Sequence, residues 1–187
     1  MNSNFEQFKA RAEAVSAEVY RFAGKSEALD FVCEFVQTEN RADARNAYAL
    51  WADCSFLGGI DKTEVHQKAP SLRFDVSREQ AADAKIGISQ MEWGIANTGT
   101  LVQDASAVEQ RLVSTLPIIH IALLGTGDIV PDLPALLLKA SPKRANYISF
   151  ITGPSRTADI ERVLTIGVHG PERLIILCVD ELGATAQ

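Results

Sequence analysis

Hydrophobic positions near the start of the chain recur at alternating spacings of three and four. Phe5, Phe8, Ala12, Val15, Val19 and Phe22 make one narrow stripe, which predicts a single amphipathic helix ended by Gly24. Such a stripe has two uses: packing on its own domain, or docking a partner helix through an a/d seam. Ser26 caps a second predicted helix with Leu29, Val32, Cys33 and Val36 on its face, ending at Asn40 and Arg41. Ala47, Leu50, Trp51 and Cys54 give a helix-like repeat within residues 42–55. Gly58 and Gly59 break the chain, and the polar stretch 60–71, with Pro70, reads as loop carrying His66 on the surface.

From Ser77 the pattern changes. Ser77 caps a short helix through Ala84, with Glu79 and Gln80 in its first turn. Apolar runs then follow, separated by glycine: KIGIS, TGTLV, LPIIHIALLG, NYISFITG and LIILCVD. They show little alternation, as strands buried on both faces do. Helical stretches at 105–113, 133–139 and 157–165 lie between some of them, and strand–helix–strand order predicts an α/β fold with a largely parallel sheet. Ligands of such sheets favour the carboxyl ends of the strands. The segments expected to leave those ends are 89–93, 125–128, 153–157 and 180–181.

Size and charge narrow the classes. One domain is the expectation for 187 residues, with 1–40 as a helical segment packed on a core domain of 41–187. The net charge of −6, without a local Lys/Arg cluster, argues against nucleic acid as a partner. The apolar runs are too short to span a bilayer, and the first residues lack the apolar stretch of a secretory signal. Cys33, Cys54 and Cys178 are odd in number and far apart, which argues against a disulfide framework, a metal site or an iron–sulfur cluster held by this chain alone. A cytoplasmic location is expected.

Two stretches carry candidate chemistry. The first is ITGPSRTADIERVLTIGVHGP, residues 151–171. It reads as a strand end, a tight turn at Gly153 and Pro154, a helix capped by Ser155 or Thr157, and a second loop with His169. A helix N-terminus beside two hydroxyls and Arg156 suits an anion, with Asp159 either orienting Arg156 or complementing the helix dipole. A cap and a turn before an ordinary helix use the same residues. The second stretch is GISQMEWGIANTGTLV, residues 87–102, where Glu92 follows an apolar strand and Thr98, Gly99 and Thr100 form a hydroxyl-rich turn. Glu92 is an acid/base candidate, as is His169; a solvated carboxylate and an ordered turn are the plainer alternatives. His120, inside an apolar strand, reads as a core histidine. Gly125-Thr126-Gly127 lacks the third glycine of a dinucleotide fingerprint, and neither a phosphate loop nor a nucleophile elbow is present.

Together, NTGTLV, LPIIHIALL, GPSRTADI and GVHGP, in that order, resemble the LUD-domain family, in its lactate-utilisation protein C (LutC/YkgG-like) branch. The resemblance covers residues from about 83 to 177. It implies a three-layer α/β/α fold like those of ribose-phosphate isomerase, glucosamine-phosphate deaminase (NagB) and CoA transferases. It implies a subunit or accessory role in oxidation of L-lactate to pyruvate, with iron–sulfur clusters on partner subunits and no cofactor on this chain. The family commonly has an acidic residue just before Thr-Gly-Thr; Asn97 stands there in this chain and cannot take a proton. Glu92 matches another acidic position of the family. The resulting expectation is a small carboxylate or phosphate bound by Gly153, Ser155, Arg156 and Thr157, with Asp159 behind Arg156 and Thr98, Gly99 and Thr100 on the opposite wall. Two other readings stay open: a non-catalytic assembly protein docking cluster-bearing partners through the Phe5–Phe22 stripe, and an independent enzyme on a phosphorylated or CoA-linked small molecule.

Overall fold

The structure, a computed structural model, describes residues 3–42, 48–139, 147–158 and 164–182. The chain opens with helix α1 (Ser3–Ala14), strand β1 (Ala17–Phe22) and helix α2 (Lys25–Ala42). The short strand β2 (Ala49–Trp51), helix α3 (Lys62–Lys68), strand β3 (Leu72–Arg73) and helix α4 (Arg78–Asp83) follow. Then come β4 (Ile86–Met91), β5 (Trp93–Ile95), β6 (Thr100–Asp104), α5 (Val108–Thr115), β7 (Ile119–Gly125), β8 (Ile129–Val130) and α6 (Leu133–Lys139). The last strands are β9 (Ile148–Ile151), β10 (Arg156–Ala158), β11 (Leu164–Ile166) and β12 (Arg173–Val179).

Six strands form one parallel sheet in the order β1-β12-β7-β4-β2-β3. Every residue of β7 is buried, and so is every residue of β12 after Arg173, because helices cover both faces. On one face Ile88, Ile121, Leu123 and Leu177 pack with Val32 and Val36 of α2 and Val65 of α3. On the other, Ala122, Leu124, Ile176 and Cys178 pack with Phe5, Phe8 and Ala12 of α1, while Leu50 meets Ala81 of α4 and Val113 of α5. This is the three-layer arrangement expected of the sequence.

A second sheet, β8-β5-β6-β9, grows out of the end of β4. Here β6 is antiparallel to both β5 and β9. Its inner face brings Leu101 onto α1, and its outer face packs Ile95, Val102 and Val130 against Leu136 of α6.

Several expectations are corrected. The stripe Phe5–Phe22 is a helix only to Ala14; Ser16 turns with a φ of 71° and the rest is β1. Val15, Val19 and Phe22 fit a helical spacing, but Val19 and its β-forming neighbours gain a full ladder of hydrogen bonds on β12. Phe5, Phe8 and Ala12 are buried, so the stripe serves the core and is closed to a partner helix. Residues 49–51 are a strand, pinned between β3 and β4. The expected loop 60–71 contains α3, whose start is fixed by Asp61 Oδ1 accepting from the Thr63 amide at 2.8 Å. The expected helix after Ser155 is instead extended: β10 pairs antiparallel with β11, and residues 159–163, with Asp159 among them, lie outside the described residues. The NYISFITG run is not a parallel core strand, since β9 pairs with β6 in the second sheet. The Ser77 cap is as read, with the full box formed by Ser77 and Gln80.

Candidate functional site at the carboxyl edge

All six strands of the main sheet point the same way, so their carboxyl ends share one edge. Where β4 leaves the sheet, Glu92 sits between the two sheets. Its amide donates to the Val102 carbonyl at 3.0 Å, and its Oε2 accepts from the Asp104 amide. The carboxyl is thereby fixed across the end of β6. Burial pushes it up to about 7, and the Asp104 and Asp128 carboxylates add to the rise against the backbone amides that favour its charge. A carboxyl poised there exchanges a proton readily at neutral pH.

Glu92 lines a cleft of about 390 Å³ together with residues of the β2 end (Asp53, Cys54, Ser55), of β4 (Gln90), and of the β6–α5 junction (Asp104, Ser106, Gln110). Two glutamine side chains hold the β2 loop in place from either side. Gln90 accepts from the Phe56 amide at 2.8 Å and is bonded to Ser55 Oγ. Gln110 donates to the Asp53 carbonyl at 2.8 Å and accepts from buried Gln103 at 3.1 Å. Asp104 Oδ1 accepts from both the amide and the hydroxyl of Ser106, an Asx turn that starts the path into α5. Burial raises the thiol of Cys54, so it stays protonated at neutral pH.

Over residues 5–179 the chain matches the LUD domain. It belongs to the LUD domain family. Among curated proteins, this LUD domain is similar to lactate utilization protein C of Exiguobacterium sp. strain AT1b, 38% identical over 114 residues, or 58% of this chain and 50% of that protein. It is similar also to lactate utilization protein C of Halalkalibacterium halodurans, 36% identical over 109 residues, 55% of this chain and 47% of that one. The uncharacterized protein YkgG of Escherichia coli K12 is 33% identical over 108 residues, 54% and 47%. The chain spans about half the length of the curated relatives it matches. A crystal structure of a DUF162 family protein from Deinococcus radiodurans superposes with a TM-score of 0.58 at 21% identity, covering 94% of this chain and 96% of that one. That likeness is one of fold.

Thr98, Gly99, Thr100, Gly153, Ser155, Arg156, Thr157 and His169 lie at the opposite, amino edge of this LUD domain. The GPSRT and GVHGP loops meet there: the Ser155 amide donates to the Pro171 carbonyl at 2.8 Å and the Gly167 amide to the Ser155 carbonyl at 3.0 Å. Both loops abut the starts of β7 and β12, where the Glu172 amide bonds the Ile118 carbonyl. His169 is exposed in this loop and Thr157 half-buried in β10. The Thr-Gly-Thr turn joins them, since Thr100 Oγ1 bonds both Thr98 and Thr152. Gly99 and Gly153, both at positive φ, sit directly against the end of α1; an added Cβ would lie 2.3 Å from the Ala12 amide nitrogen and 2.4 Å from the Val15 carbonyl oxygen respectively. Arg156 donates to the Val15 carbonyl at 2.8 Å and to Ser16 Oγ at 3.0 Å. Thus the two threonine- and arginine-bearing loops are neighbours, and Glu92 is not among them. It is separated from Thr100 by the length of β6, about 13 Å at 3.3 Å per residue.

His120 lies fully buried within β7, with Nε2 at 2.8 Å from Ser89 Oγ, and burial lowers it to about 4. It is a neutral core residue. Among the described residues, no three His, Cys, Asp or Glu side chains are grouped to hold a metal ion, and no helix is long and apolar enough to cross a membrane.

Sequence reasoning picked out Glu92 and missed Asp53, Cys54, Ser55, Asp104 and Gln110. The rule that carboxyl ends of parallel strands form the crevice reaches Asp53–Ser55 once residues 49–51 are seen as a strand. Nothing local marks Gln110, whose role depends on α5 standing over the end of β2.

Proposed function

We propose that this LUD domain serves in lactate utilisation, as a subunit or accessory of a system whose iron–sulfur clusters lie on partner subunits, and that its own chemical part is proton transfer by Glu92. Relatives named for lactate utilisation support the process. The observation that carries the chemical part is the Glu92 carboxyl, fixed by the Asp104 amide in a cleft at the carboxyl edge and held near neutrality by burial. In this reading the carboxyl gives or takes one proton on the molecule bound in the cleft, and Gln90 and Gln110 keep the Asp53–Phe56 wall at a constant distance from it.

The test is complementation. In cells lacking the chain, wild type restores growth on L-lactate, and Glu92→Gln, which keeps the shape and removes the titrating group, restores little or none while the protein accumulates normally. Growth at the wild-type rate would remove Glu92 from the chemistry.

A small-anion site at the amino edge is the second reading, favoured by the exposure of Arg156 in the GPSRT loop. Its present contacts also close the turn after α1. Titration with phosphate, followed by the amide resonances of Ser155 and Gly170, decides: saturable shifts lost in Arg156→Lys support the anion site, because Lys lacks the planar fork. Shifts absent from the wild type leave Arg156 with the turn alone.

A further inference from the structure

We propose that a second copy of this LUD domain adds to the open edge of β9, antiparallel and across a two-fold axis, so that two four-stranded sheets join into one of eight. The inference goes beyond the proton-transfer reading and does not depend on it.

Its first support is the backbone of the edge. β9 is the last strand of the sheet β8-β5-β6-β9, and among the described residues no strand pairs with its outer side. The Ala105 amide donates to the Tyr147 carbonyl at 2.9 Å, so Tyr147 turns its backbone groups toward β6. Antiparallel ladders alternate. Ser149 and Ile151 therefore face β6 as well, and the N–H and C=O groups of Ile148 and Phe150 point outward. Such a row is a template for another strand. The other edges of the two larger sheets are blunted. β1 carries Glu18 and Arg21, while β3 and β8 are two residues long, the one ending in Arg73 and the other followed by Pro131. From Tyr147 to Gly153 there is neither a charge nor a proline.

The second support is the side chains. Phe150 stands opposite Val102, which belongs to the apolar cluster with Leu136 of α6, so Phe150 and α6 share the outer face of the sheet. The helix packs over β5 and β8 and leaves Phe150 53% exposed. Tyr147 and, on α6, Leu133, Leu137 and Leu138 are exposed too. These five side chains present on the order of 500 Å² per copy, and about 1,000 Å² over two copies is what a specific interface requires. A two-fold axis normal to the sheet sets both α6 helices on one face, with the two Phe150 rings between them.

Charge and symmetry select the occupant. With a net charge of −6, two copies repel over most of their surface, and an uncharged strand is where they can approach. Antiparallel addition of β9 to β9 is self-complementary. The outward groups of Ile148 and Phe150 meet the same groups of the other copy, and the closed pair leaves neither β9 edge free for a third.

The experiment is light scattering during gel filtration of the full chain at about 100 μM, where an interface of this size holds a dimer together. The expected mass is twice the 20.3 kDa of one chain. Phe150→Lys places a charge on each side of the axis and should return the mass to 20.3 kDa with an unchanged circular-dichroism spectrum. Amide exchange in the wild type, read residue by residue by fragmentation mass spectrometry, needs no variant. Ile148 and Phe150 should lose about tenfold or more of their protection on roughly hundredfold dilution, while Ser149 and Ile151, bonded to β6, keep theirs. A wild type of 20.3 kDa at the higher concentration overturns the inference. So does a dimer that survives Phe150→Lys, or one in which Ile148 and Phe150 exchange as fast as in the dilute chain, since another surface then joins the copies.

Discussion

The two edges of the parallel sheet use charge in opposite ways. At the amino edge, charges close the fold. Arg173, the first residue of β12, bonds Glu18 on β1 at 2.9 Å and Glu39 on α2 at 2.8 Å, and Lys85, just ahead of β4, completes the group on Glu39 at 3.2 Å. Burial alone would raise the Glu39 carboxyl, but the hydrogen bonds from Arg173 and Lys85 outweigh it and hold the group below its ordinary value. Arg156 ties the turn after α1 in the same region. At the carboxyl edge, Arg21 and Asp180 pair on the outside, whereas no Lys, Arg or His is among the residues that line the cleft with Glu92 and Asp104. One edge balances its charge; at the other, burial raises the Glu92 carboxyl toward neutrality and the Asp104 and Asp128 carboxylates add to it.

The largest expected effect tests the amino edge as architecture. Gly99→Val places a branched side chain at positive φ with its Cβ in the α1 backbone. It should cost at least about 3 kcal/mol or prevent folding, read as the urea midpoint or the soluble yield. A midpoint within error of wild type would mean that α1 does not rest on the turn.

Next come the opposed pH slopes of the two halves. His120, near the amino end of β7, has its folded value lowered to about 4, so the stability it allows is full above its ordinary value of 6.5 and is lost as pH falls toward 4. Glu92 is raised to about 7 from 4.5, so stability is highest below 4.5 and declines as pH rises through 7. Each slope amounts to about 3–4 kcal/mol in all, at about 1.4 kcal/mol per pH unit. Glu92→Gln should therefore be more stable than wild type at pH 8 and equal to it near pH 4, measured by urea unfolding across that range. His120→Gln should flatten the acid limb and leave the alkaline one. A Glu92→Gln variant that is destabilised at pH 8 would contradict the raised carboxyl.

The smallest effect sharpens the amino edge. Glu39→Gln keeps the shape and removes the charge that Arg173 and Lys85 share, and should cost about 1 kcal/mol at pH 7, since the group is partly solvated. No loss would show those contacts to be ornamental to stability.

Much of the main sheet was legible because its central strands are buried on both faces and read as unbroken apolar runs; β4, β7 and β12 fall where KIGIS, LPIIHIALLG and LIILCVD lie. Helix α6 matches its expected bounds, residues 133–139. The failures share a cause. β1, β2 and β9 are defined by partners far along the chain, and their side-chain spacing alone is compatible with helix or with another sheet. Residues 156–158 and 164–166 likewise pair as strands where apolar spacing suggested one helix. For the site, Glu92 was legible as an acid following a strand. Its separation from Arg156 was not, because only the antiparallel path of β6 shows that the Thr-Gly-Thr turn and Glu92 stand at opposite ends of the same strand.

The pairing of β1 with β12 also sets an order of events in the cell. Ala17 is placed opposite Leu174, so β1 waits for β12. As the chain leaves the ribosome, Val19 and the apolar side of α1 have no completed sheet to cover until residues 173–179 have emerged, and contacts of such long sequence separation are slow to form.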